Sequence, residues 1–226
     1  MELHNTGSEV SEISDRRSHP RIVRALPICF TVVDGDGTSG IPFPKYDAQT
    51  HNIGIGGVSC NAVIDDKAVV RELSAKKKKV DLNIRLVEKN NDISAKAGVA
   101  WIYNLGGLSV KTKYGMGLRF VNMDKAENDL LSSYIGEMIV LKQEQSTRNR
   151  QRIKQVLAQI ARIDKDSFSE AAMIREDLGV DSLMAMETLA VLETIYDIEI
   201  DVSRVAEVAT VGDVMNLVEW CMEQRP

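Results

Sequence analysis

Ser182 stands in the run Asp177-Leu178-Gly179-Val180-Asp181-Ser182-Leu183. Gly179 ends the preceding element, and Leu183, Met186, Leu189, Leu192 and Ile195 then recur at helical spacing up to Tyr196. The spacing predicts a helix over 182–196, with Asp181 as N-cap and Ser182 in the first turn. A hydroxyl there projects outward. A phosphate attached to it would lie at the positive end of the helix dipole, beside N–H groups that have no partner inside the helix. The same periodicity puts Met186 on the buried stripe. It leaves Met184 off that stripe, at the surface.

A second constellation lies far upstream. Arg17 and Arg21 are spaced Arg-x-x-x-Arg and follow Arg16, while Asn52, Gly54 and Gly57 sit in a strand-like run interrupted by glycines. Arginine offers forked donors to anionic oxygens and a flat face for stacking. Glycine allows a bulge, or lets a ligand approach the main chain. Three further signals are weaker. Lys76 to Lys79 reads as a solvated hairpin loop between strands. Asp34-Gly35-Asp36-Gly37 suggests calcium, but Lys45 falls where an EF-hand needs its bidentate Glu. His51 and Cys60 could form a thiol dyad, yet no third orienting group accompanies them, and a core cysteine is the simpler reading.

The elements that must carry these residues follow from patterning. Ile28, Phe30 and Val32 alternate with polar neighbours. So do Val80, Leu82, Ile84 and Leu86, then Ile93, Ala95, Ala97, Val99 and Trp101, and then Met116, Leu118 and Phe120. Short alternating strands joined by polar turns predict a small antiparallel barrel. From Glu127 to Leu141 the spacing becomes helical. Gln143 to Arg152 is wholly polar and reads as a linker, with a helix as the alternative. Ile153, Val156, Leu157 and Ile160 then form one helical stripe. Thr210 caps a last helix, and short turns near Val202 to Val205 complete a four-helix bundle.

Charge separates the two parts. The chain of 226 residues carries a net charge of −5. From Asp164 onward there are 4 basic and 15 acidic residues, against 24 and 18 in the remainder. Such a split implies two domains with different partners, the basic one open to anions. Aromatic residues are sparse and no motif reads a nucleic-acid polymer. No apolar run is long enough to span a membrane, and residues 1–14 are polar, with no secretory pattern. Three cysteines without metal-type spacing suit a reduced, cytoplasmic setting.

With its flanks, the Ser182 stretch resembles the attachment site of acyl and peptidyl carrier proteins over about residues 150–224. The shared features include Ile198-Glu199-Ile200 and Thr210-Val211-Gly212-Asp213-Val214. The resemblance implies 4′-phosphopantetheine on Ser182, and a recognition surface of Asp181, Leu183, Met184 and Glu187. That surface would meet a phosphopantetheinyl transferase and the acyl- or aminoacyl-transferring enzymes that follow it. Residues from Arg16 to about Ile139 resemble the PilZ domain, a barrel that binds cyclic di-GMP. Here the resemblance implies ligand contacts from Arg16, Arg17, Arg21, Asn52, Gly54 and Gly57. Gly54 departs from the family, which has Ser there; one missing hydrogen bond would cost about 0.5–1.5 kcal/mol.

The expected fold is therefore an antiparallel PilZ-like β-barrel with a C-terminal helix, followed by an all-α four-helix carrier bundle. The expected boundaries are a flexible N-terminus 1–14, the barrel domain 15–142, a linker 143–152 and the carrier domain 153–226. The expected function is a non-catalytic, cyclic di-GMP-responsive carrier holding an acyl or aminoacyl group as a thioester for partner enzymes. The alternative is a protein-interaction adaptor with a degenerate barrel site and an unmodified carrier domain.

Overall fold

The computed structural model describes residues 20–34, 44–106 and 112–224. Arg16 and Arg17, and Gly35 to Gly37 of the acidic loop, lie outside the described residues. The chain divides into two units, 1–138 and 139–226.

In the first unit, seven strands run β1 (Arg21–Val23), β2 (Pro27–Asp34), β3 (Lys45–Gly54), β4 (Gly57–Val63), β5 (Lys78–Leu86), β6 (Asn91–Asn104) and β7 (Lys113–Asn122). All pairings are antiparallel, in the order β1-β3-β2-β5-β6-β7-β4. A further β3–β4 pairing closes β2 to β7 into a six-stranded barrel, with β1 added along β3. Closure removes the exposed edges that an open sheet would present. The alternating residues fill the inside: Ile28, Phe30, Val32, Val80, Leu82, Ile84, Ile93, Val99, Met116 and Leu118 are all buried.

Trp101 breaks the expected alternation. A register shift between Val99 and Trp101 inserts one unpaired residue. The bulge turns the indole outward, 44% exposed. There it covers Gly117, where an added Cβ would lie 2.2 Å from Trp101 Nε1. Tyr103 covers Gly115 in the same way, and the two rings stack with centroids 5.2 Å apart.

The lysine run is not a hairpin loop. A helix, α1 (Lys67–Ser74), precedes it; Asp66 caps this helix by accepting from the N–H groups of Ala68 and Val69. Lys76 takes a left-handed φ of 57° at the exit. Lys78 already belongs to β5, where it pairs with Asp34 and Glu72.

The polar segment 143–152 takes the helical form that the sequence left open. It lies within one continuous helix, α2 (Lys125–Ala161). The reason is side-chain pairing inside the second unit. Arg150 donates to Glu219, Glu170 (2.7 Å) and Asn216 (2.7 Å), and the Ser146 hydroxyl donates to Glu219. Ion pairs to Glu219 and Glu170 hold the Arg150 guanidinium above its ordinary pKa. Polar residues that read as solvated in sequence are thus tied to α5 (Val211–Glu223).

The second unit is all-helical: the end of α2, then α3 (Ser182–Tyr196), the single turn α4 (Val202–Val205) and α5. One apolar cluster joins Ile153 and Leu157 of α2, Phe168, Leu178, Val180, Leu192 of α3, Ile200, and Val214 and Val218 of α5. Thr210 and Asp213 form a reciprocal capping box that fixes the start of α5. Among the described residues, no helix is long and apolar enough to cross a membrane.

Candidate functional sites

On the barrel, the paired registers set the site. Arg21 of β1 lies opposite Gly54 of β3, Gly54 opposite Gly57 of β4, and Gly57 opposite Arg119 of β7. Ile53, Val58 and Leu118, one residue away on each strand, are buried inside the barrel. The row Arg21–Gly54–Gly57–Arg119 therefore lies on the outer face. A second outer row, two residues along, runs Asn52–Ser59–Gly117–Trp101.

Arg21 and Asn52 meet directly: Arg21 Nη1 donates to Asn52 Oδ1 at 3.0 Å. The two positions singled out in sequence, 31 residues apart, are thus one polar cluster, with the guanidinium aimed along the surface. Gly54 has a defined part in this. A Cβ there would lie 2.7 Å from Arg21 Cγ and 2.9 Å from the Pro20 carbonyl oxygen. The missing side chain is what lets the Arg21 stem cross β3. Gly57 is still more constrained, since at its φ of 155° a Cβ would meet the Leu118 carbonyl oxygen at 2.2 Å. The two glycines bracket the two-residue turn Ile55-Gly56 and form a floor with no side chains of its own between the arginines, Gly54 lying under the Arg21 stem.

Sequence reasoning missed Trp101 and Arg119 as members of this face. The signal for Trp101 was present in the pair Gly115 and Gly117, which make room for two aromatic rings. His51 and Cys60 are set in different environments. His51 is exposed, whereas burial pushes the Cys60 thiol up to about 12 and leaves it protonated.

In the second unit, Asp181 caps α3. Its side chain accepts the Met184 N–H at 2.8 Å, and the first intrahelical bond runs from Ala185 N–H to the Asp181 carbonyl at 2.9 Å. The N–H groups of Ser182 and Leu183 precede that first bond and point out of the helix start. Gly179 supplies the turn into this start at a φ of 66°. Asp181, Ser182, Leu183 and Glu187 are all exposed.

The buried face of α3 differs from the expected stripe. Leu183 is 78% and Met186 56% exposed, while Thr188 and Leu192 are buried. Met184 is half-buried against the apolar cluster with Ala185, Leu189 and Ile195. The phase turns on Thr188. Its hydroxyl donates to the Met184 carbonyl at 2.8 Å, so a residue that scores as polar occupies the inward face without an unmet hydrogen bond. Met184 thus belongs to the packed side, and Met186 takes its place on the surface beside Ser182. Behind α3 lies a cavity of about 220 Å³ lined mainly by apolar side chains, among them Leu157, Ile174, Val180, Leu189 and Val205.

Comparison with known families agrees with this division. The PilZ domain matches residues 15–137, more than half of the chain. The family described as the phosphopantetheine attachment site matches residues 151–218. An acyl carrier protein from Saccharopolyspora erythraea is 40% identical over 67 residues, which are 30% of this chain and 70% of that protein. One from Sulfurovum sp. is 36% identical over 67 residues, 30% of this chain and 89% of that protein. Among solved structures, the Bacillus subtilis inhibitor of motility (MotI/DgrA) is 21% identical with a TM-score of 0.40, the match covering 57% of this chain and 53% of that one. The PilZ domain with c-di-GMP of YcgR from Escherichia coli is 14% identical with a TM-score of 0.40, over 58% of this chain and 98% of that one. The chain belongs to the PilZ domain family through its N-terminal barrel and to the acyl carrier protein family through its C-terminal bundle.

Proposed function

We propose that the protein is a carrier whose loading or delivery responds to cyclic di-GMP. Ser182 bears a 4′-phosphopantetheine arm, and the thiol of that arm holds an acyl group as a thioester for enzymes acting in trans. The observation that carries this reading is the setting of Ser182. It is an exposed hydroxyl at the first helical position behind the Asp181 cap, with no hydrogen bond to another described residue. Outward-pointing N–H groups and the helix dipole would favour a phosphodiester at that position. The surface beside it offers Leu183, Met186 and Glu187, an apolar and acidic mixture suited to a basic partner enzyme. The apolar cavity behind α3 favours an aliphatic acyl group over a polar aminoacyl one.

On the barrel, Arg21 and Asn52 would hold the nucleotide, the guanidinium by a charge-assisted contact to phosphate or guanine and the amide by a base edge. The glycine floor between them and Arg119 lets a flat ligand lie close to the main chain. Arg16 and Arg17 are assigned to the same site by their motif spacing. Intact-mass analysis after co-expression with a broad-specificity phosphopantetheinyl transferase tests the carrier half. Wild type should gain one phosphopantetheinyl group and Ser182→Ala none; an unmodified wild type would favour the adaptor reading instead. Transferase and acyl-loading rates with and without cyclic di-GMP test the response, and equal rates would refute it.

A further inference from the structure

The outer row that holds Arg21 and Gly54 does not end at Gly57. Its next member is Arg119, at the centre of β7, exposed and facing the same way. Three strand arginines are described on the barrel. Arg21 is bonded to Asn52, and Arg85 pairs with Asp92 at 2.9 Å and Asn90. Arg119 alone of the three makes no side-chain hydrogen bond or ion pair with another described residue. It is a charged, forked donor set whose nearest cross-strand neighbour is a glycine.

We propose that Arg119 is a ligand-binding residue of the barrel site. It engages the second anionic group of the ligand from the far side of the glycine floor, opposite Arg21. This rests on the nucleotide reading above and extends it to the geometry of the bound molecule. Three strand spacings separate the Arg21 and Arg119 backbones, roughly 14 Å. Each guanidinium stands on a flexible stem, so the two can reach toward one another across Gly54 and Gly57, neither of which carries a side chain of its own. Such a floor flanked by two cations suits a compact ligand carrying two separated phosphates, as a cyclic dinucleotide does. A mononucleotide would engage one arginine only. Glycine is required at position 57 by the Leu118 carbonyl and at position 54 by the Arg21 stem, so the cleared floor is built into the barrel. Gly54 in place of the family's Ser removes one neutral contact, and Arg119 supplies a charged one.

The test is calorimetric titration of the full chain with cyclic di-GMP, comparing wild type with Arg21→Ala, Arg119→Ala and Arg119→Lys, and with Arg85→Ala as a strand arginine outside the row. Arg119→Ala should weaken binding by roughly tenfold to a hundredfold, the loss expected for one charge-assisted contact. Arg119→Lys should recover part of the loss, because it keeps the charge but not the fork. Arg85→Ala should bind as wild type does. Unfolding curves for the same set should coincide for Arg119→Ala and wild type, since the side chain is exposed and unpaired. If Arg119→Ala binds as wild type while Arg21→Ala is impaired, the inference is overturned and the nucleotide reading stands. If wild type does not bind at all, both fall.

Discussion

Restoring the family's serine at position 54 is the perturbation that separates motif reasoning from geometry. By motif, Gly54→Ser returns a ligand contact worth about 0.5–1.5 kcal/mol and should tighten binding by roughly tenfold or less. The structure argues the opposite. The new Cβ would stand 2.7 Å from Arg21 Cγ, which a side chain can relieve by moving, and 2.9 Å from the Pro20 carbonyl oxygen, which the backbone must relieve. Clearing Cβ shifts the Arg21 stem, and with it the guanidinium that is bonded to Asn52 Oδ1. The displaced guanidinium forfeits a charge-assisted contact worth about 1.5–3 kcal/mol, more than the serine hydroxyl returns. Affinity for cyclic di-GMP should therefore fall by about tenfold in Gly54→Ser. It should fall further in Gly54→Ala, which adds the clash without the hydroxyl. A ligand-free measurement checks the same clash: denaturant unfolding should show both variants destabilised by about 1–3 kcal/mol, the usual cost of overpacking. Tighter binding by Gly54→Ser, together with unchanged stability in Gly54→Ala, would refute the argument.

Two further outcomes concern the helical unit. Asp181→Ala removes the acceptor of the Met184 N–H and should lower the stability of the unit by about 1 kcal/mol. It should also slow transfer of the arm to Ser182 by loosening the first turn of α3, an effect read as a transferase rate alongside the unfolding midpoint. Hydrogen bonds from the Thr210 and Ala209 N–H groups hold the Asp213 carboxyl below its ordinary value of 3.8. A depressed folded value means that this stabilisation is present above pH 3.8 and is lost as pH falls through the folded pKa. Wild type should then lose more stability than Asp213→Asn between pH 5 and pH 2, so that the gap between their denaturant midpoints closes on acidification.

The barrel was legible because its strands obey a two-residue period and its inward residues are apolar almost without exception. What escaped was anything the period cannot encode. A single bulge after Val99 reversed the facing of Trp101, and bulges leave little trace in an alternating pattern. The helix α1 was missed although Asp66 before Lys67 is an acceptable N-cap, because its eight residues bury only Val69 and Leu73. The partners that hold 143–152 in its helix were not legible for a different reason. Composition reports that residues are polar, and not whether Glu219, some 70 positions away, waits to pair with them. The Arg21–Asn52 cluster, by contrast, follows from strand register once the barrel is closed.

The phase of α3 shows how a small misreading redirects a functional conclusion. Placing Met186 inward assumes that hydrophobic side chains alone mark the core. In α3 the start of the helix is set by Asp181, which fixes every later residue by rotation. From that start Thr188 faces the cluster, and its hydroxyl is satisfied by the Met184 carbonyl, so burial costs it little. Leu183 and Met186 are then left outside on adjoining turns, next to Ser182 and Glu187. Two large apolar residues exposed beside a modifiable hydroxyl are a cost that folding alone does not explain, whereas a docking partner would cover them. The same rotation leaves Met184 half-buried and packed against the apolar cluster. A partner docking on α3 beside Ser182 would meet Leu183, Met186 and Glu187.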